Sequence, residues 1–316
     1  MLPLLCTVRD CHEPLTRIDR GLVCPRGHSF DFARSGYVNL LQPQDRRSKQ
    51  PGDTASAVAA RRRLHDRGVT APLLEAIGAL AGISANDIVL DAGCGDGFYL
   101  GALAAKSGCE ASGIDISVAA IDAAARRYPN CEWIVGNADR FLPYADKTFS
   151  RVLSITARMN APEFRRVVRD DGLLLVAIPA PDDLVEVRGA GRARAARTID
   201  TFANDFTLIE QRRASTIADL DRDAVHDVLL SIYRPRGIEK VQPTRVTFSL
   251  DLLLFAPRTT GAEDGAQPAG GTQRSSALNC FTTRSLIIAA PIFPGPREGT
   301  LPSSAAGPEA SSPPIG

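Results

Sequence analysis

The spacing of apolar residues divides the chain into three stretches. Residues 1–40 are rich in cysteine, histidine and turn-forming residues and show no long helical period. From about residue 57 to residue 257, short apolar runs alternate with segments in which apolar residues recur at helical spacing. After Pro257, glycine, alanine, proline, serine and threonine dominate. This pattern predicts a small N-terminal module, an α/β domain and a disordered C-terminal tail.

The middle stretch predicts strands that alternate with helices. Strands are predicted over residues 88–97, where the run enters a glycine-rich turn, and over 110–117, 131–139, 150–155, 173–181, 206–216 and 246–257. Helices are predicted over residues 57–82, 98–108, 118–129, 162–172 and 221–233. Because such alternation is typical of parallel sheets with crossover helices, we expect a doubly wound, Rossmann-like sheet with mainly parallel strands.

Composition limits the function only in part. The chain has 316 residues, of which 44% are hydrophobic, enough for a sizeable core. A net charge of +1 argues against a globally basic nucleic-acid-binding protein, but residues 1–70 hold twelve Lys and Arg against seven Asp and Glu. This local surplus suits contact with phosphates, and a solvated surface explains it equally well.

Cysteine usage and apolar runs indicate the compartment. The seven cysteines are an odd number scattered along the chain, which does not match a disulfide framework. The chain starts with five apolar residues and soon becomes charged, so no signal peptide is predicted. No apolar run approaches the roughly 20 residues that span a bilayer. We therefore expect a cytoplasmic protein without a membrane partner.

A glycine-rich turn follows the first strand of the α/β stretch. Residues 91–97 read Asp-Ala-Gly-Cys-Gly-Asp-Gly and lie between a predicted strand and a predicted helix. Glycines allow a tight turn and close approach of a ligand, and the next helix offers free N–H groups. Asp115 ends the next predicted strand, where a carboxylate can accept hydrogen bonds from ribose hydroxyls. Together they predict a nucleotide-like cofactor.

The form of the turn favours one cofactor. A nicotinamide or flavin nucleotide is usually bound by Gly-x-Gly-x-x-Gly, and another α/β enzyme stays an alternative. The turn and the segment Gly-Ile-Asp-Ile-Ser at 113–117 resemble the first two motifs of class I S-adenosylmethionine-dependent methyltransferases. That resemblance implies that Asp91 lies near the methionine amino group and that Asp115 holds the ribose. The third motif, usually Gly-Asp-Ala, has Asn137 in its middle position, where the side chain can still bond the adenine.

Three thiols and one imidazole are spaced like the ligands of a metal site. Cys6-x4-Cys11, twelve intervening residues and Cys24-x3-His28 supply the four ligands of a closed tetrahedral zinc site. A loop-rich segment of about 35 residues builds little core, so metal ligation would supply the missing stability. His12 is an alternative ligand, and free buried cysteines are the alternative to a metal site. A closed site is structural because it leaves no position for water.

The order of these features resembles the bacterial 23S ribosomal RNA guanine-N1 methyltransferase family, which includes macrolide-resistance methyltransferases. The resemblance is carried by Cys-Pro-Arg-Gly-His at 24–28, Gly-Tyr-Val-Asn-Leu-Leu at 36–41, Pro-Gly-Asp-Thr at 51–54 and Ala-Arg-Arg at 60–62. It extends through Ile-Pro-Ala-Pro at 178–181. It implies a class I methyltransferase fold, transfer to N1 of a guanine in a 23S hairpin loop, and S-adenosyl-L-methionine and Zn²⁺ as cofactors.

The resemblance also implies site residues. The family's zinc ligands map onto Cys6, Cys11, Cys24 and His28, although its first pair is spaced by two residues and this one by four. The implied cofactor-binding residues are Thr70, Asp91, Gly93, Gly95, Gly97, Tyr99, Leu100, Asp115, Asn137 and Asp183. No general base is implied. Residues 154–160 lack the Asn-Pro-Pro-Tyr signature of exocyclic-amine methyltransferases, which fits a ring-nitrogen target.

The implied partner is ribosomal RNA. The zinc module and the basic stretches Arg46–Lys49 and Arg61–Arg67 would contact phosphates. Tyr37, Tyr99 and Arg158 are candidates for stacking on a splayed-out base. The oligomeric state stays open between a monomer and a homodimer.

The predicted division of the chain follows from these features. We expect a zinc-binding module at 1–41, a linker and connecting helix at 42–70, the methyltransferase domain at 71–257 and a disordered tail at 258–316. Two other functions stay open. One is a small-molecule methyltransferase of the same fold, and the other is a non-catalytic zinc RNA-binding protein with a degenerate methyltransferase fold.

Overall fold

The structure is a computed structural model that describes residues 2–46, 48, 51–232 and 241–258 and a strand at 285–287. The strands are β1 Thr16–Ile18, β2 Gly21–Val23, β3 Ser29–Asp31, β4 Val38–Asn39, β5 Ile88–Ala92, β6 Glu110–Asp115, β7 Glu132–Val135, β8 Phe149–Ile155, β9 Val168–Pro179, β10 Phe206–Leu220, β11 Thr244–Pro257 and β12 Ser285–Ile287. The helices are α1 Ala55–Asp66, α2 Ala71–Ala81, α3 Phe98–Ser107, α4 Val118–Arg127, α5 Ala161–Val167, α6 Val185–Arg188, α7 Ala195–Phe202 and α8 Arg222–Ser231.

Two sheets organise the described residues. The strands β1, β2 and β3 form a small antiparallel sheet, and nine strands form the large sheet in the order β12-β10-β11-β9-β8-β5-β6-β7-β4. The six strands from β9 to β4 are parallel, whereas β11 and β10 continue the sheet antiparallel. The chain runs from β5 outward to β7 and then returns to β8 on the other side of β5. In folds with such a switch in strand order, ligands bind outside the carboxyl ends of the strands on either side of it, which here are β5 and β8.

Both faces of the large sheet are covered. Val89 packs with residues of α2, α3, α4 and α8, whereas its neighbour Leu90 packs with residues of α5, α7 and the N-terminal module. Neither side chain has exposed surface, as expected for successive residues of a strand that is buried on both faces. The predicted α/β fold is therefore confirmed.

Two predicted helices are wrong in their extent. The helix expected over 57–82 is two helices, because Gly68 has a φ angle of +73° and Pro72 lies in the first turn of α2. The helix expected over 162–172 ends at Val167, and the chain continues as β9. Gly172 is not a helix cap: a Cβ atom on it would lie 2.9 Å from the main-chain oxygen of Ser150 on β8. Strand pairing, which is non-local, decides this segment.

The N-terminal module shares a core with the α/β domain. Its last strand, β4, pairs in parallel with β7 at the edge of the large sheet, with Val38 opposite Ile134. Leu4, Leu22 and Leu40 are buried in the same core as residues of β8 and β9. The module is thus packed against the domain and held to it by main-chain hydrogen bonds.

Residues beyond 258 lie outside the described residues, apart from β12, so the expectation of a disordered tail falls there. The strand β12 pairs in parallel with β10. None of the helices in the described part of the chain has the length and apolar character needed to cross a bilayer.

Candidate functional site

Three glycines in the turn after β5 have left-handed backbone conformations. The φ angles of Gly93, Gly95 and Gly97 are +87°, +56° and +74°, in a region that L side chains rarely adopt. A Cβ atom on Gly97 would lie 2.4 Å from the Trp133 ring, and one on Gly93 would lie 2.4 Å from the Ala157 Cβ. The turn is packed between β7 and the loop after β8, so glycine is required there.

Asp115, at the end of β6, fixes the turn from the side. Its Oδ2 accepts a hydrogen bond from the Gly95 main-chain nitrogen (3.0 Å), and its Oδ1 accepts one from that of Ser117 (2.8 Å). Burial raises the pKa of this carboxyl, and the two donors oppose the shift. Each carboxylate oxygen has further lone-pair capacity, so Asp115 can also accept hydrogen bonds from ribose hydroxyls.

Asp91 is a buried acid whose hydrogen bonding is incomplete. Its side chain lies at the carboxyl end of β5, and its Oδ1 has no hydrogen-bond partner among the described residues. Burial, with a smaller contribution from the charge of Asp115, raises the pKa of Asp91 to about 8. An orphan buried carboxylate is costly unless a cation completes it. The site therefore fits the ammonium group of S-adenosyl-L-methionine.

The segment before α1 crosses this edge of the sheet. The main-chain oxygen of Asp45 accepts a hydrogen bond from Asn137 Nδ2 beyond β7 (3.0 Å), and that of Asp53 accepts one from Ser117 Oγ beyond β6 (2.7 Å). The Asp53 carboxylate pairs with Arg61 of α1 (2.7 Å). The sequence predicts Arg61 only as a phosphate contact, and Asp53 and Ser117 appear in it only as members of motifs. No local pattern shows that the three residues meet at this edge.

The predicted residues Tyr99 and Leu100 lie in the first turn of α3, directly after the glycine turn, and Thr70 directly precedes α2. The Tyr99 ring lies edge-on to that of His65, with 5.9 Å between centroids. Thr70 Oγ1 is 2.7 Å from His65 Nδ1, so the hydroxyl has a partner within the protein. Leu100 is fully buried in the core, so a cofactor contact there would have to use its main chain.

Asp183 and Asn137 make hydrogen bonds within the protein. Asp183 Oδ1 accepts a hydrogen bond from the Ser249 nitrogen (2.9 Å), and its Oδ2 accepts one from Arg188 Nη2 (2.6 Å). Asn137 Oδ1 accepts one from the Asp139 nitrogen (3.1 Å). Asp183 thereby ties the loop after β9 to β11, and Asn137 anchors the segment before α1. The acids and glycines of the turn come together at this edge, and the cofactor contacts expected of Asp183 and Asn137 stay predictions.

The four predicted metal ligands converge. Their ligand atoms all lie within 4.8 Å of one another. The Cys6 and Cys24 sulfurs are 3.5 and 3.4 Å from His28 Nδ1, and the Cys11 and Cys24 sulfurs are 3.8 Å apart. Tetrahedral Zn²⁺ with Zn–S bonds of about 2.3 Å separates its sulfurs by about 3.8 Å. The cluster therefore fits Zn²⁺ despite the longer Cys6–Cys11 spacing, and His12 instead stacks on Phe141 (4.3 Å).

The arginines of α1 and its C-terminal end are engaged with the protein. Arg63 pairs with buried Asp227 of α8, and Arg67 pairs with Asp221 at the start of α8 (2.8 Å). Arg62 donates a hydrogen bond to a main-chain oxygen of α4 (3.4 Å). Phosphate contacts by this predicted basic stretch would have to compete with these bonds. In the other stretch Arg46 is exposed, whereas residues 47 and 49 lie outside the described residues.

The three predicted stacking residues differ in exposure. Tyr99 and Tyr37 are both half-buried, and burial and then the charge of Asp122 raise the pKa of Tyr37. The Arg158 side chain is 74% exposed and lies 3.5 Å from Asp139. Arg158 follows Ala157, which touches the glycine turn. Of the three, Arg158 is the residue that a base could reach at this edge.

The fold, the glycine turn with its two acids and the Cys/His cluster define a class I S-adenosyl-L-methionine-dependent methyltransferase with an N-terminal zinc ribbon. Residues 89–172 match the family described as "Methyltransferase domain", and residues 5–49 match the zinc-ribbon family described as "RlmA, N-terminal".

Relatives make the assignment more specific. The 23S rRNA (guanine(748)-N(1))-methyltransferase of Streptomyces fradiae is 37% identical over 230 residues, which cover 69% of this chain and 81% of the relative. A relative from Micromonospora griseorubida is 38% identical over 234 residues (65% and 78% coverage), and one from Bacillus subtilis (strain 168) is 30% identical over 260 residues (74% and 90%). The chain belongs to the 23S rRNA guanine-N1-methyltransferase family.

Proposed function

We propose that this protein transfers a methyl group from S-adenosyl-L-methionine to N1 of a guanine in a hairpin loop of 23S ribosomal RNA. The main support for a methyltransferase is the carboxyl group of Asp91 beside the glycine turn. Its Oδ1 is buried without a hydrogen-bond partner among the described residues, so the site suits a cationic ligand. The zinc ribbon and a Streptomyces fradiae relative named for this reaction support the RNA part. We expect the enzyme in the cytoplasm, where ribosomes are.

The site residues follow from this proposal. Cys6, Cys11, Cys24 and His28 would ligate a structural Zn²⁺. Asp91 would hold the ammonium group of the cofactor and Asp115 its ribose, and Gly93, Gly95 and Gly97 would let the main chain approach it. Tyr99, Leu100, Asn137, Thr70 and Asp183 stay predicted contacts. The zinc module (1–41), linker and helix (42–70), methyltransferase domain (71–257) and tail (258–316) likewise stay a proposed division.

The chemistry asked of the protein is mainly positioning. The bound cofactor supplies a methyl group activated by its positive sulfur. Guanine N1 would accept this methyl group and lose its proton to water. Asp91 and Asp115 would fix the methionine and the ribose of the cofactor so that the methyl group faces the incoming base.

The RNA would approach the edge that carries Arg158 and the zinc module. A cleft of about 270 Å³ lies between the module and β7, lined among others by His12, Asn137, Arg140 and Phe141. We propose that Arg158 contacts the splayed-out base and that Arg46 and the module contact phosphates. Binding would then weaken with salt. A homodimer stays a prediction.

The test is to incubate the purified protein with radiolabelled S-adenosyl-L-methionine and unmodified 23S ribosomal RNA, and then to identify the labelled nucleoside. Label in 1-methylguanosine is expected. Cofactor binding without label in RNA would overturn the ribosomal assignment and leave a small-molecule methyltransferase. Absence of cofactor binding would leave a non-catalytic zinc protein.

A further inference from the structure

Arg61 lies directly over the free face of the glycine turn. Its Nη1 is 3.5 Å from the point where a Cβ atom of Gly95 would lie, closer than any other atom outside the immediate chain neighbours. Its Nη1 is 2.7 Å from Asp53 Oδ2, and its Nη2 donates a hydrogen bond to the Ser231 main-chain oxygen (3.1 Å). The cationic side chain of Arg61 is thus held over Gly95, on the side where this glycine carries no side chain.

Acidic side chains surround this guanidinium. The positive charge of Arg61 lowers the pKa of Asp96 and of Asp115, although burial raises both by more. Asp53 and Asp91 lie at the same edge. The position therefore suits a ligand with one positive and one negative end, because the orphan acid of Asp91 needs a cation and Arg61 can release Asp53 for another anion.

The amino-acid end of S-adenosyl-L-methionine carries both charges on one carbon. If its ammonium group meets Asp91, its carboxylate must lie within a few bonds of that acid and needs a donor. A guanidinium offers a planar pair of N–H groups that match a carboxylate. Arg62 is the neighbouring candidate, but its Nη2 is directed to α4, where it donates a hydrogen bond to a main-chain oxygen (3.4 Å).

We propose that Arg61 binds the methionine carboxylate of the cofactor and that Asp53 is the counter-ion it exchanges for that carboxylate. The proposal rests on the proposed function only in taking S-adenosyl-L-methionine as the cofactor. Asp53 is well placed to act as a replaceable partner, because Ser117 Oγ holds its main chain (2.7 Å) while its side chain is 38% exposed.

The test compares two ligands by calorimetry on the full, zinc-loaded chain. One is S-adenosylhomocysteine, and the other is its decarboxylated analogue, which keeps the amine. Arg61→Met is expected to weaken binding of S-adenosylhomocysteine about 10- to 100-fold, the range for hydrogen bonds to a charged group. Binding of the analogue should change less than about threefold by the same reasoning. The control Arg67→Met, which removes another ion pair at the end of α1, should change neither.

Equal weakening of both ligands by Arg61→Met would overturn the proposal, because it would show that Arg61 only docks α1. The proposal would also be overturned if Arg62→Met changed the ratio of the two ligand affinities and Arg61→Met did not. Asp53→Asn provides an independent arm if Arg61→Met fails to fold: it should tighten S-adenosylhomocysteine and leave the analogue unchanged, and an unchanged ratio would refute the exchange. If the unmodified protein bound neither ligand, the proposed function itself would fail.

Discussion

Replacing Asp91 by asparagine tests the electrostatics of the cofactor edge most directly. The pKa of this buried carboxyl is raised from 3.8 to about 8 by burial and by the charge of Asp115. The folded protein therefore holds the proton more tightly than the unfolded chain does. The sign follows: the free energy of unfolding falls as pH rises from about 4 to about 8, and the loss is complete above that range. Asparagine carries no charge and escapes this loss.

The size of the effect follows from the two pKa values. One unit of difference corresponds to about 1.4 kcal/mol, so at pH 7 the protein has lost about 4 kcal/mol of stability, because the unfolded chain has ionised Asp91 while the folded protein still holds its proton. Asp91→Asn also lowers the free energy of unfolding by an amount that does not depend on pH, because the new amide is buried. The quantity to compare is therefore the pH dependence of the free energy of unfolding. The stability of the variant relative to the unmodified protein should rise by about 1.4 kcal/mol per pH unit between pH 5 and pH 7.

The assay is urea unfolding at several pH values without cofactor. Asp87→Asn, at the other end of the same strand region, is a matched control of opposite sign. Burial would raise the pKa of Asp87, but hydrogen bonds from Ser150 and Ser84 and the charge of Arg151 lower it. This control should therefore lose more stability at neutral than at acid pH. Parallel stability curves for Asp91→Asn and the unmodified protein would refute the reasoning.

Three further changes have definite expected outcomes. Cys6→Ser should lower the zinc affinity and the melting temperature, and an unchanged metal content after dialysis would exclude Cys6 as a ligand. Gly97→Ala should destabilise the fold by about 2–4 kcal/mol in urea unfolding, since its φ angle is +74° and its Cβ would meet Trp133, whereas a loss below about 1 kcal/mol would contradict this. Arg63→Met should cost about 2 kcal/mol because it leaves buried Asp227 without its partner, and Asp227→Asn in the same background should restore part of the loss.

Local patterns in the sequence were enough to predict most of the fold. Apolar runs flanked by turn formers predicted the parallel strands, because a strand buried on both faces needs consecutive apolar residues. Of the two failures, one lies where distant contacts decide, and the other lies where two local helix-breaking residues were overlooked. Residues 168–172 join β9 because Phe149 and Val168 pair across the sheet. The break between α1 and α2 depends on Gly68 and Pro72, which the helical spacing of apolar residues concealed.

The candidate site shows the same division. Asp91, the glycines and Asp115 are each next to a strand end, so their place at the edge could be predicted from the sequence. Arg61 and Asp53 precede the first strand of the domain and reach the turn only through the packing of α1, which no local pattern encodes. Only the resemblance implied a cofactor contact for Leu100, whereas its spacing from Leu103 on α3 already indicated the core face of that helix.

The position of the segment before α1 gives the zinc module a part in the cofactor site. The module contributes β4, and the chain that leaves β4 is held at Asp45 beyond β7 and at Asp53 beyond β6. These two anchors lie beyond the ends of neighbouring strands, so the segment is fixed at this edge of the sheet both near its start and near its end. Arg61 then fixes its far end through Asp53. A displacement of the module, as in binding a large RNA, would therefore be transmitted along a short segment to the counter-ion of the proposed carboxylate-binding arginine. This arrangement would let RNA contact and cofactor contact influence each other through the edge strand β4.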